Sequence, residues 1–286
     1  NVGHIEHPLY TVSGEAPPDE WIAPDLHGPD GETPVRFGNA AYEQFQLDSE
    51  GSILTLAELY HRTTGDRDFI LSNWDTIKAM TDWLSRNYNR KENGIWEVRS
   101  PEEIREGDNP DEWWVMPREN WLYGKIMSAS GLRAVIDLSS NLGFVPEQKW
   151  QEALDTLMHD IFNRGWSEKA QALLETYERV EEYSEGKINE KPVYDISVLG
   201  ASIRKLDSRD VDSFCKMNRT AEVLEKELNY GGGMLRHDKA VLPFYLPTIW
   251  MARHHLTRNN VKKAIKYFEN AVASSTTLGL MAAHYD

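Results

Sequence analysis

Glu97 lies in the run Asn93-Gly94-Ile95-Trp96-Glu97-Val98-Arg99, beside a tryptophan and two residues from an arginine. An indole strips water from a neighbouring carboxyl group, which disfavours the ionised form and raises the pKa. A carboxylic acid kept protonated near neutral pH can donate a proton to a leaving group. The same heptapeptide would also suit an amphipathic helix end with an incidental Trp neighbour, and read alone it leaves both readings open.

Other groupings of reactive side chains are poorer. His254-His255, and His4 with His7, lack carboxylate or cysteine partners at ligand spacing, so no metal is expected. Glu102, Glu103, Glu106, Asp108, Asp111 and Glu112 form an acidic run without the spacing of a calcium loop, as a solvated stretch would. Gly231-Gly232-Gly233 is not followed by the Lys-Ser/Thr of a phosphate loop. Cys215 is the only cysteine, which rules out an internal disulfide and suits a reducing compartment; a cytoplasmic location is expected. The sequon at Asn218 comes with no secretory signal and is discounted.

The elements that must carry these residues are mainly helical. Ile53, Leu56, Leu59 and Tyr60 fall on one helical face. Ile70, Trp74, Ile77, Leu84 and Tyr88 do the same in the next segment. Between them, Thr64-Gly65-Asp66 reads as a C-cap glycine followed by an N-cap aspartate. Further helices are expected near 120–141, 147–164, 210–229, 243–257 and 260–278, while residues 1–40 carry turn signals and read as irregular or short-strand chain. Connections 89–119 and 178–194 are long for a compact domain, as functional loops are. Helix pairs with alternating short and long connections suit a toroid whose long loops gather on one rim. A plain helical bundle with insertions would read similarly.

Several blocks, taken in order, carry a family resemblance. They are Pro34-Val35-Arg36-Phe37-Gly38-Asn39 with Gln46 and Asp48, then Gly94 to Arg99, then Tyr123-Gly124-Lys125-Ile126-Met127 with Arg133. Tyr194-Asp195-Ile196-Ser197, Gly232-Gly233-Met234-Leu235-Arg236, Pro243-Phe244-Tyr245-Leu246 with Trp250, and Leu278-Gly279-Leu280-Met281-Ala282 follow. Together they resemble glycoside hydrolase family 15, which includes glucoamylases, glucodextranases and some trehalases. The resemblance spans nearly the whole chain and implies an all-α (α/α)6 barrel, with residues 1–286 forming part of one catalytic domain. It also implies an inverting mechanism at the non-reducing end of an α-glucoside, without a cofactor. One acid then protonates the glycosidic oxygen while a second carboxylate, roughly 6.5–9.5 Å away, activates water on the opposite sugar face. Glu97 maps onto the acid. Trp96 would supply its apolar surroundings, while Arg99, Gln46, Asp48, Trp121 and Arg236 map to the substrate side, with a helix-cap role for Gln46 and Asp48 and a surface ion pair for Arg236 as the rival readings. Trp113 or Trp114 could equally stack on a sugar, whereas Trp74, Trp83 and Trp150 lie in helical stripes and read as core.

Two departures qualify that expectation. The family's general base is a glutamate in a Gly-Leu-x-x-Glu context, but Gly279-Leu280-Met281-Ala282 is followed by Ala283. A methyl group can neither accept a proton nor position water, so this form is expected to be inactive. A deliberate Glu→Ala change, natural loss of activity, and a shift of a few residues towards His284 or Asp286 all fit. The family's early Trp-x-Arg-Asp segment is also absent. With Asn1 at the start and Asp286 directly after a helix-like stretch, an incomplete toroid in contact with a missing remainder is expected.

The net charge of −15 repels the phosphates of nucleic acid. No apolar run is long enough to span a bilayer, and 40% hydrophobic with 27% charged residues is ordinary for a globular chain. The expected partner is an oligosaccharide or disaccharide α-glucoside: maltooligosaccharide, isomaltooligosaccharide or trehalose. A sugar-binding module without catalysis and an all-α interaction scaffold are the competing readings.

Overall fold

The computed structural model describes residues 21–23, 35–37, 46–92, 119–187, 192, 194–237, 240 and 242–275. Two short strands, β1 (Trp21–Ala23) and β2 (Val35–Phe37), pair antiparallel. Helix α1 (Asp48–Thr64) ends where Gly65 turns into the left-handed region at φ 71° and returns its N–H to His61. Asp66 then caps α2 (Arg67–Ser72), accepting from the Phe69 amide at 3.0 Å. Both caps follow the sequence reading. The helix expected from Ile70 to Tyr88 is broken at Asn73, whose side chain bonds back to the Phe69 carbonyl, and it resumes as α3 (Trp74–Asn87).

The next pair is α4 (Leu122–Leu142) and α5 (Gln148–Asn163), joined through Gly143 at φ 80°. Strands β3 (Trp166–Ser167) and β4 (Ala172–Leu173) lead to α6 (Tyr177–Ser184). That helix corrects the expectation of one long connection over 178–194. Thr176 accepts from the Arg179 amide and supplies the cap that starts it. A 3-10 turn (Ile196–Leu199) runs into α7 (Gly200–Ile203), and a second 3-10 turn (Leu206–Arg209) leads to α8 (Val211–Leu228). Strands β5 (Asn229–Tyr230) and β6 (Gly233–Met234) then precede α9 (Tyr245–Thr257) and α10 (Val261–Ala273).

The helices alternate between two layers. In the inner layer α1 packs on α4, α4 on α7, and α7 on α9, while α3, α5, α8 and α10 back them. Residue pairings show that the inner helices run parallel. Glu92 bonds the Leu47 amide and also lies against Gly124 and Lys125, and four residues on, Gly51 meets Met127 and Gly131. Further along, Gly200 faces Tyr123 and Ile126, while Arg133 donates to the carbonyls of Arg204 and Lys205. His254 near the end of α9 bonds Ser202 near the end of α7, and Phe244 before α9 is bridged to Met234, so the starts of α1, α4, the Ile196 turn and α9 share one end. This is an all-α toroid of paired helices, as the sequence pattern predicts.

Core residues Leu54, Leu84, Ile126, Leu132, Leu157, Leu199 and Leu224 are buried between the layers, and Trp83 and Trp150 join them. The Trp150 indole donates to Asp82 at 2.7 Å, tying α5 to α3. One expected stripe faces the other way. Ile53, Leu56 and Leu59 are exposed, because α1 meets α4 through Leu47, Glu50, Gly51 and Leu54 instead. The reason is close approach: only a residue without a side chain lets the α4 backbone come this near. A Cβ on Gly51 would run into the Met127 carbonyl. At the far end of the arc, Val261, Ile265, Phe268 and Val272 form an exposed apolar stripe on α10.

Glu225 fastens the outer layer to α9 and α10. It lies 3.5 Å from His255 Nε2, pairs with Lys263 at 2.7 Å and accepts from Tyr267 at 3.0 Å. The close approach of His255 leads in holding its carboxyl down at about 2, with Lys263 and Tyr267 adding to the effect.

Gly51→Ala is expected to lower stability by about 1–3 kcal/mol or more, since overpacking here must separate α1 from α4; calorimetry will read it as a lower Tm. Because the folded pKa of Glu225 is depressed from 4.5, its stabilisation is complete above pH 4.5 and is lost as the pH falls towards about 2. Glu225→Gln should therefore lower Tm at neutral pH and flatten the loss of stability across that window, measured by urea unfolding from pH 2 to 7.

Candidate active site

Helix α4, the Ile196 turn and helix α9 each begin just after a short backbone bridge, and these bridges build the rim. Glu92 and Glu119 exchange reciprocal hydrogen bonds, each 2.9 Å, closing the base of connection 93–118. Trp121 bridges Thr176, and the Leu122 amide at the start of α4 donates to the Glu175 carbonyl at 2.7 Å. Asp195 bridges His237, with the Ile196 amide donating to the Arg236 carbonyl at 3.0 Å. Met234 bridges Phe244, the residue before α9.

These bridges bring several expected site residues to one end. Gln46 and Asp48 flank Leu47 at the start of α1, both half-buried. Arg236 is half-buried, its backbone fastened to the Ile196 turn. Trp121 is only 5% exposed. Trp96, Glu97, Arg99 and Ala283, with Trp113, Trp114 and the acidic run 102–112, lie outside the described residues. Glu97 is five residues along the chain from the Glu92 bridge.

Beneath this rim lies a buried charge pair. Glu92 and Lys125 are each 1% exposed, with Lys125 Nζ 3.7 Å from Glu92 Oε1. Glu92 Oε2 accepts from the Leu47 amide at 2.7 Å, and Lys125 donates to the Arg90 carbonyl at 2.6 Å. The carboxylate rests against Gly124, where any side chain would collide with it. Burial pushes the Glu92 carboxyl up and the Lys125 amine down, each partner opposing the shift of the other. Outside this pair, Lys91 reaches Glu178 at 2.8 Å, and Glu178 also accepts from the backbone and side chain of Asn120.

Sequence reasoning placed Tyr123 and Trp250 in family-like blocks without giving either a role. Their rings stack, with centroids 5.8 Å apart and planes 23° from parallel. Tyr123 reaches Trp250 across Gly200, and burial pushes its hydroxyl up to about 12, with Asp48 and Asp195 adding to the rise. Trp250 itself packs against the hydrophobic core, so the stack ties the start of α4 to α9. Glu92 was missed altogether. Lys125 carried a signal, since it stands in the apolar stripe Trp121, Ala129, Leu132 and Ile136, where a cation needs a buried partner.

Among the described residues no group of three or more His, Cys, Asp or Glu could hold a metal ion. No helix among them is long and apolar enough to cross a membrane.

The fold is that of solved glycosidases. The structure described as "Glycosidase E335A in complex with glucose" superimposes with a TM-score of 0.65 at 15% identity, covering 91% of this chain and 63% of that one. "Glycosidase Wild Type" superimposes at 0.62 and 14% identity, with the same coverage of both chains, 91% and 63%. The chain belongs to glycosyl hydrolases family 15, whose sequence model matches residues 4–277. Similar curated proteins include Trehalase 1 of Sulfolobus acidocaldarius, 29% identical over 98% of this chain and 44% of that protein. Trehalase 2 of the same organism is 27% identical over 99% of this chain and 45% of that protein. The trehalase of Thermoplasma acidophilum is 23% identical over 92% and 41%. The chain thus spans less than half the length of these curated relatives.

The Asp195 carboxylate accepts from the Ser197 amide at 2.7 Å and caps the inner turn that holds the Arg236 backbone. Asp195→Ala should cost about 0.5–2 kcal/mol, the usual value of a lost cap. Asp195→Asn, which keeps the acceptor, should recover most of it, and thermal unfolding of the two variants checks the difference.

Proposed function

We propose that this chain forms the acid-bearing part of one (α/α) catalytic domain that hydrolyses a terminal α-glucoside with inversion. Trehalose is the favoured substrate, because most of the similar curated proteins bear the name trehalase. Maltose-type and isomaltose-type oligosaccharides are the alternatives. The observation that carries the reading is the convergence of four inner helix starts on the end where connection 93–118 leaves and returns.

In this reading Glu97 protonates the glycosidic oxygen, with Trp96 drying its surroundings. Asp48 and Arg236 hold sugar hydroxyls, and Gln46, Arg99 and Trp121 line or support the same pocket. No cofactor takes part. Ala283 stands where the water-activating carboxylate belongs, which leaves the form with alanine inactive. A non-catalytic sugar-binding module is the second reading, and Ala283 is the feature that favours it. An exposed free Cys215 suits a reducing, cytoplasmic setting.

The test uses the full-length polypeptide. Ala283→Glu should raise glucose release from trehalose by about 100-fold or more, the usual weight of a positioned base. Adding Glu97→Gln should remove that gain. Inversion requires that trehalose initially yield equal amounts of α- and β-glucose, read by proton NMR before mutarotation. Saccharide binding with no release from trehalose, maltose or isomaltose after Ala283→Glu would favour the binding module instead.

A further inference from the structure

We propose that the buried Glu92–Lys125 pair is a positioning device that locks the base of connection 93–118 against the starts of α1 and α4. It thereby fixes the point at which the chain enters that connection relative to the start of α1. The role assigned to Glu97 rests on the proposed function; the lock itself rests on geometry alone.

The argument starts from what the pair binds. Its ionic ends reach the backbone of one further segment, at Leu47, and of the segment that carries Glu92 itself, at Arg90. Glu92 Oε2 takes the Leu47 amide, between Gln46 and Asp48. Lys125 Nζ takes the Arg90 carbonyl, two residues before the bridge to Glu119. The pair itself joins that bridge to the first turn of α4, next to Tyr123 and Gly124. One interaction thus fixes three segments, each next to a residue of the proposed site.

A need for stability alone does not account for such a pair. Burying two charges costs several kcal/mol each, and an apolar pair of similar volume often serves the fold equally well. An apolar pair has no direction, however. It would fill the space and leave the Leu47 amide and the Arg90 carbonyl without these partners. Gly124 supports the same conclusion, because its missing side chain is what allows the carboxylate to lie flat on α4. Nearby charges are arranged around the lock. Asp48 stands close enough to Glu92 to oppose its ionisation, and Glu178 favours the charged form of Lys125 while Arg164 disfavours it.

The experiment compares the full-length protein carrying Ala283→Glu with two variants of it, Lys125→Met and the double change Glu92→Leu/Lys125→Met. Lys125→Met leaves a buried carboxylate unpaired and should unfold at a markedly lower temperature. The double variant removes both charges at similar volume and should regain most of that Tm, which keeps the test decisive even if the single variant does not fold. Its Leu47 and Glu119 amides should nevertheless exchange hydrogen at least ~10-fold faster than in the parent. Its kcat should fall by at least ~10-fold with KM within about twofold, the pattern of a misplaced acid rather than a damaged binding pocket.

A double variant with parental exchange and parental kcat would overturn the proposal, reducing the pair to space-filling. Parental exchange at Leu47 and Glu119 in that variant is by itself enough to reject the lock. If the parent releases no glucose, the proposed function fails, and the exchange measurement still decides the lock.

Discussion

Everything at the candidate site leans on one desolvated contact, the Glu92 carboxylate set between the Leu47 amide and the Lys125 amine. Inside a protein such a contact is directional in a way that apolar packing is not, because an unmet charge or amide there is heavily penalised. The start of α1, the first turn of α4 and the bridge between Glu92 and Glu119 are therefore fixed relative to one another. Gly51, Gly124 and Gly131 are the steric counterpart. They let α1, α4 and the carboxylate approach to distances that any side chain would prevent.

The two ends of the inner layer are built differently. At the helix starts, short bridges hold chain segments side by side and leave half-buried polar groups, such as Asp48 and Arg236, at the surface of the rim. At the opposite end polar groups tie the helices to one another. Arg133 caps the carbonyls of Arg204 and Lys205, Arg258 pairs with Asp207, and His254 Nδ1 shares a 2.8 Å hydrogen bond with Ser202. Burial pushes His254 down to about 3, so it remains neutral and belongs to the packing. Functional potential is thus concentrated at one end by the parallel run of the inner helices.

Some of this was readable along the chain. Caps at Gly65 and Asp66, the α4, α5, α8 and α9 spans, and the core placement of Trp83 and Trp150 follow from local rules of turn chemistry and periodicity. The stripe of Ile53, Leu56 and Leu59 was read without a direction, since periodicity defines a face but not which neighbour it meets. Helix α6 was hidden because a short, highly charged segment has little apolar pattern, and it relies on the Thr176 cap and on contacts of Tyr177 and Val180.

By itself the sequence determined the kind of architecture and the chemistry on offer. Helical periodicity with Gly and Asp punctuation pointed to paired helices, and the ordered short blocks, through the family they resemble, to a toroid and to carboxylate chemistry. Tertiary structure alone decided which distant residues meet. Glu92 and Lys125 are 33 positions apart, and Tyr123 and Trp250 are 127 apart, each separation being the difference of the residue numbers. No local rule relates such positions. Their contact depends on how closely whole helices can approach, and that is set by the summed packing of both layers.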